Sequence, residues 1–143
     1  MERQSGVARS IRVVLVDDDA TDRELFGEAL QGSAHACELR EAPHGEAALR
    51  LLEASPVLPD LIVLDLNMPI MDGRETLRAL RAAPEWKHIP VCILSTSSAH
   101  FDVRNAYDDG ANLFLVKPLD FRSLQELAGC LLALFGKYSA TAS

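Results

Sequence analysis

A chain of 143 residues is one domain's length and long enough to bury a core. With 48% apolar residues and a formal charge of -7, it reads as globular and excludes nonspecific binding to nucleic acid or anionic membranes. No apolar run approaches the roughly 20 residues of a membrane span, and Met1 to Ser10 lacks the apolar stretch of a signal peptide.

Strand and helix signals alternate along the chain. Ile11 to Val16 is a predicted strand, ending in Asp17, Asp18 and Asp19. Thr21-Asp22-Arg23-Glu24 has capping-box form, and Leu25, Phe26, Ala29 and Leu30 are expected to face inward along the helix that follows. Cys37 to Ala42 alternates apolar and polar, the pattern of an edge strand, and a helix follows from Gly45 to Ala54. Leu61 to Leu64 reads as a strand buried on both faces and closed by Asp65. Pro69 and Gly73 then supply turn chemistry before a helix from Arg74 to about Ala83. Val91 to Ser95 is a fourth strand, His100 to Asp109 a polar helix, and Leu113 to Val116 a fifth strand ahead of Lys117-Pro118. Asp120 opens a last helix carrying Leu124, Leu127, Leu131, Leu134 and Phe135. Residues 1–10 and 137–143 read as flexible tails around a domain spanning 11–136.

Five such strand–helix units require right-handed crossovers and an α/β fold, a doubly wound parallel sheet of five strands with helices on both faces. The amphipathic second strand belongs at an edge. That gives the order 2-1-3-4-5, flavodoxin-like, with its switch point between the first and third strands. Asp17, Asp18 and Asp65 therefore converge on one crevice, with Ser95 and Lys117 at the same rim. Clustered carboxylates repel one another and call for a hard cation such as Mg²⁺. An aspartate there can act as a nucleophile toward phosphorus, with Lys117 and the Ser95 hydroxyl placed to steady phosphoryl oxygens. The cysteines Cys37, Cys92 and Cys130 lie far apart and are expected to be buried free thiols in a reducing compartment. His35, His44, His88 and His100 show no ligand spacing and are expected to be solvated.

The set Asp17-Asp18, Leu64-Asp65-Leu66-Asn67-Met68-Pro69-Ile70-Met71-Asp72-Gly73, Leu94-Ser95 and Val116-Lys117-Pro118 resembles the receiver domain of two-component response regulators, over about Ile11 to Phe135. The resemblance implies a phosphoacceptor at Asp65 and Mg²⁺ held by Asp18, Asp65 and the Asn67 backbone carbonyl, with Asp17 acting through water. It implies Lys117 on a phosphoryl oxygen, a cis peptide between Lys117 and Pro118, a switch hydroxyl at Ser95 and a switch aromatic at Phe114. Phe114 lacks the hydroxyl of the tyrosine found in many relatives, and Thr96 is larger than the alanine or glycine frequent at its position. Asp19 is expected to cap a helix. The segments Ala83-Pro84-Glu85-Trp86-Lys87-His88-Ile89-Pro90 and Ala111-Asn112-Leu113-Phe114 are similar to those of the small receivers that partner phytochrome-type histidine kinases.

These expectations add up to a cytoplasmic single-domain signalling protein, not an enzyme, phosphorylated by a sensor histidine kinase of the phytochrome type. Because the chain stops soon after its last helix, output is expected through an unidentified protein partner. Apolar residues in the fourth and last helices (Phe101, Val103 and Tyr107, then Leu131, Leu132, Leu134, Phe135 and Tyr138) point to a homodimer through the fourth helix, fifth strand and last helix. Alternatives are a phosphorelay intermediate or phosphate sink for another kinase, and a Mg²⁺-dependent aspartyl phosphatase. The phosphatase would need a second acid where this chain has Asn67. A flavodoxin-type cofactor binder would need a phosphate cradle where it has Asp17-Asp18-Asp19.

Overall fold

The computed structural model describes residues 10–96 and 100–138, and for His100, Phe101, Lys137 and Tyr138 the backbone alone. The expected tails fall almost wholly outside the described residues. Five strands, β1 (Ile11–Val16), β2 (Cys37–Ala42), β3 (Leu61–Leu64), β4 (Val91–Ser95) and β5 (Leu113–Val116), pair in parallel in the order β2-β1-β3-β4-β5. Five α-helices join them or follow them: α1 (Ala20–Gln31), α2 (Gly45–Ala54), α3 (Gly73–Ala82), α4 (His100–Asp108) and α5 (Phe121–Ala133). The expected sheet order stands.

Alternation along the strands sorts the core into two layers. Val14, Val16, Ile62, Leu64, Val91 and Ile93 join Ala48, Leu52, Leu77, Leu80 and Ala106, contributed by α2, α3 and α4. Val13, Leu15, Leu61, Val63, Cys92 and Leu94 join Phe26, Leu30, Ala128, Leu131 and Leu132, contributed by α1 and α5. Each central strand thus buries both faces, which is why β3 reads as an unbroken apolar run and β1 and β4 as runs interrupted only by Arg12 and closed by Ser95.

Several local expectations are corrected. Asp19 caps α1 as expected, its carboxylate accepting from the Thr21 and Asp22 N–H groups at 3.0 and 3.1 Å, but the Thr21 capping box is not formed, since Thr21 already lies inside the helix. The capping box belongs instead to Asp72 and Glu75 at the start of α3. Leu25 is exposed, because the helix phase set by Phe26, Ala29 and Leu30 turns it away from the sheet. Cys130 is exposed and Cys37 half-buried, leaving Cys92 as the one buried thiol. His44 is half-buried and caps α2, its Nδ1 accepting from the Ala47 N–H at 3.1 Å. Leu131 and Leu132 are buried rather than surplus, and the last helix runs on as expected, through a π-helical turn over Leu134–Tyr138. Gly136 in that turn lies so close to Ile11 that a β-carbon would collide with the isoleucine side chain.

Arg81 ties three segments at the sheet's amino end. Its guanidinium donates to the carbonyls of Gly110 at 2.9 Å and Ile89 at 2.8 Å and to Asn112 Oδ1 at 2.9 Å. Asn112 Oδ1 also accepts from the Val91 N–H at 2.8 Å, which fixes the start of β4. Charge-assisted bonds of this kind, half-buried, leave unpaired carbonyls when the donor is lost. Arg81→Ala is expected to lower unfolding stability in urea by about 2 to 4 kcal/mol, and Arg81→Lys to recover less than half of it.

Candidate functional site

Because the strands are parallel, their carboxyl ends meet at one edge. Val16 pairs with Leu64, so Asp17 and Asp65 emerge side by side. The ladder continues past the strands: the Asp65 N–H donates to the Val16 carbonyl at 3.0 Å, and the Lys117 N–H to the Ser95 carbonyl at 2.8 Å. The carboxylate oxygens of Asp17, Asp18 and Asp65 can all lie within 4.8 Å of one another. This oxygen-only donor set fits a hard divalent cation such as Mg²⁺.

Asp17 is buried at 4% exposure, and both its oxygens are engaged. Oδ1 accepts from the Asp19 N–H at 2.9 Å and Oδ2 from Lys117 Nζ at 2.8 Å. Asp18 is exposed and carries no such engagement among the described residues. Asp65 is half-buried. Burial and the neighbouring Asp17 charge push its carboxyl up to about 6, against the opposing pull of Lys117 and the Asn67 and Leu66 N–H groups. Burial would lower the Lys117 ammonium, but Asp17, Asp65 and Asp22 outweigh it and raise the group above its ordinary value. Ser95 is fully buried at the end of β4, Thr96 beside it is exposed, and Phe114 is partly buried against the α2–α4 layer. No peptide bond is cis among the described residues, so the Lys117–Pro118 bond is trans. Trans is the lower-energy isomer of an X–Pro bond by default, and the cis expectation came from resemblance alone.

The loop from Asp65 to α3 is tightly constrained. A β-carbon at Gly73 would collide with the Asp65 carbonyl, so only glycine lets α3 begin this close to the site. Ile70 holds φ at 69°, with the Met71 N–H donating to the Pro69 carbonyl at 2.7 Å across it. A β-branched residue in this γ-turn is strained, and its side chain stands 73% exposed at the loop's tip.

Two site residues were not singled out from the sequence. Arg23 donates from Nη1 to the Asp17 carbonyl at 2.6 Å and from Nε to Glu41 at 3.0 Å, bracing the acid pair from α1. Asp22 Oδ2 lies 3.2 Å from Lys117 Nζ. Helical phase was the available signal, since both residues fall in the first turn after the acids. Asp22, Asp65 and Lys117 line a cavity of about 150 Å³, with Leu25, Leu119 and Phe121 on its apolar side.

The response regulator receiver domain model matches residues 13–128. The response regulator Rcp1 of Synechocystis sp. is 38% identical over 118 residues, covering 78% of this chain and 80% of that protein. The crystal structure of the phosphorylated cyanobacterial phytochrome response regulator RcpA superposes with a TM-score of 0.86 at 31% identity, covering 94% of this chain and all (100%) of that one. The Mn²⁺-bound form of Rcp1 gives a TM-score of 0.82 at 30% identity, covering 93% and 99%.

The raised Asp65 carboxyl sets a pH dependence. Its folded value of about 6 lies above its ordinary 3.8, so between the two the folded protein binds more protons than the unfolded one. Stability from this group is therefore lost as pH rises through about 6. In EDTA, Asp65→Asn is expected to melt above the wild type at pH 8, with the gap closing towards pH 5. Parallel melting curves at both pH values would show that Asp65 carries no such penalty.

Proposed function

Because this chain belongs to the response regulator receiver domain family, most like the small phytochrome-associated single-domain response regulators, we propose that it accepts a phosphoryl group on Asp65 from a sensor histidine kinase of the phytochrome type. The observation that carries this reading is the convergence of the Asp17, Asp18 and Asp65 carboxylates beside Lys117 at the carboxyl edge of a parallel sheet. An Asp65 oxygen forms the new P–O bond while the P–N bond to a donor imidazole breaks, the electron pair leaving on that nitrogen. Lys117 and the Ser95 hydroxyl steady the phosphoryl oxygens, with Thr96 at the entrance and Phe114 reporting the change to the surface. Asp18, Asp65 and the Asn67 carbonyl would hold Mg²⁺, and Asp17, its oxygens already engaged, would act through water. The bound cation supplies positive charge against the carboxylates and the phosphoryl group.

Leu25, Leu119 and Phe121 stand exposed beside the cavity that reaches Asp65. An apolar rim next to a reactive carboxylate suits an incoming helix that carries the donor group. A second exposed set, Tyr107 on α4, Val116 on β5 and Leu134 after α5, supports the homodimer through α4, β5 and α5. The protein is then a cytoplasmic phosphoacceptor that turns over only its own phosphoryl group and signals by protein contact. Among the described residues no helix is long and apolar enough to cross a membrane.

Acetyl phosphate with Mg²⁺ is expected to give one base-labile adduct, on Asp65, absent in Asp65→Asn and in EDTA. Adduct persisting in Asp65→Asn would place the acceptor elsewhere. Sedimentation at micromolar concentration is expected to give a dimer that Val116→Asp with Leu134→Asp dissociates. A wild type monomeric with and without acetyl phosphate removes the dimer.

A further inference from the structure

The Lys117 ammonium has two carboxylate partners, Asp17 Oδ2 at 2.8 Å and Asp22 Oδ2 at 3.2 Å. Asp22 belongs to α1, and Asp17 to the junction that leads into it. Among the described residues no hydrogen bond joins Lys117 to Asp65, which acts on it through charge alone. An ammonium that is to meet a phosphoryl group on Asp65 therefore starts from bonds to other acids.

The two anchors differ in kind. Asp17 is one of the three clustered carboxylates, its side chain only 5% exposed. Asp22 stands outside that cluster, in the first turn of α1, with its side chain 42% exposed at the cavity shared with Lys117. A cation drawn to the cluster recruits Asp17 and leaves Asp22 free to keep its hold. Asp22 also has a local role, since an acid in a helix's first turn complements the unpaired N–H groups there. That role needs no lysine, so the two can be separated.

We propose that Asp22 is a positioning residue that holds the Lys117 ammonium on the α1 side of the cleft, away from the cation cluster, and so sets how readily it reaches a phosphoryl group on Asp65. This rests on Asp65 being the acceptor. The Asp22 bond exists before transfer, and in this proposal it lengthens as the ammonium moves toward the phosphoryl group. It therefore stabilises the starting state selectively and slows the step. The same bond keeps a positive charge back from the cation site, so it favours cation binding.

The test is a double-mutant cycle of wild type, Asp22→Asn, Lys117→Gln and the double variant, read in two ways. The first is the rate of Asp65 labelling by phosphoramidate at saturating Mg²⁺. The second is Mg²⁺ affinity by calorimetry without any phosphodonor. Loss of the Asp22 charge affects both backgrounds by simple electrostatics, so the proposal lies in the excess seen only with Lys117 present. That excess is expected to be about two- to fivefold, the range of a partly exposed ion pair, as faster labelling and as weaker Mg²⁺ binding. Asp22→Glu is expected to restore both. Equal effects of Asp22→Asn in the wild type and in the Lys117→Gln variant overturn the proposal. Should the wild type take no label while binding Mg²⁺, the acceptor reading falls, and the titration alone decides whether Asp22 holds Lys117.

Discussion

Parallel pairing delivers the carboxyl ends of β1, β3, β4 and β5 to one edge, and every feature of the site depends on that delivery. The register places Val16 against Leu64 and Ser95 against Val116, so the next residues along are Asp17, Asp65 and Lys117. Their backbones continue the ladder: Asp17 N–H to Ala42, Asp65 N–H to Val16, Lys117 N–H to Ser95. The acids and the lysine thus sit on strand extensions whose positions follow from a core buried on both faces. Arg23 adds a brace from α1, reaching the Asp17 carbonyl and Glu41 together.

That precision has an electrostatic consequence. Three carboxylates face one another, and Lys117 lies on Asp17 rather than Asp65. The repulsion falls on Asp65, which burial has already disfavoured as an anion. The strained Ile70 turn and the glycine contact at Gly73 belong to the same arrangement, since they bring α3 up to Asp65. The sheet and its helices supply the stability against which this local frustration is set.

The architecture was legible because its signals are strong and local. Strands β1, β3 and β4 bury both faces and read as apolar runs, while β2 alternates and so had to be an edge. Convergence of Asp17, Asp18, Asp65, Ser95 and Lys117 followed from sheet order alone. What the sequence hid was tertiary. Leu25 fits the apolar helical pattern, yet the packing of Phe26 and Leu30 decides the phase and turns it outward. Leu131 and Leu132 looked surplus, yet both are buried in the layer that Phe26 and Leu30 of α1 share with the sheet. Asp22 escaped notice for a sharper reason. An acid in a first turn already has a sufficient local explanation, and the partner that gives it a second one is 95 residues away.

On the other side of the site, α4 is joined to its neighbours. Near its carboxyl end, α4 is fixed twice. Asp109 accepts from Arg74 at 2.8 Å and Arg78 at 3.3 Å on α3, and the Tyr107 hydroxyl accepts from the Phe114 N–H at 3.0 Å. The Lys117 N–H points to β4, and strand alternation puts the Phe114 N–H, three residues earlier, on the free edge. Tyr107 therefore covers a donor that β5, paired on one side only, would otherwise present. The amino end of α4 is instead the end that follows Ser95 and Thr96. For the proposed phosphoryl acceptor, a pull at Ser95 would reach α4 at that end. Phe114 lacks a hydroxyl of its own. Its backbone is nevertheless bonded to one from α4, so helix and strand are joined through Tyr107.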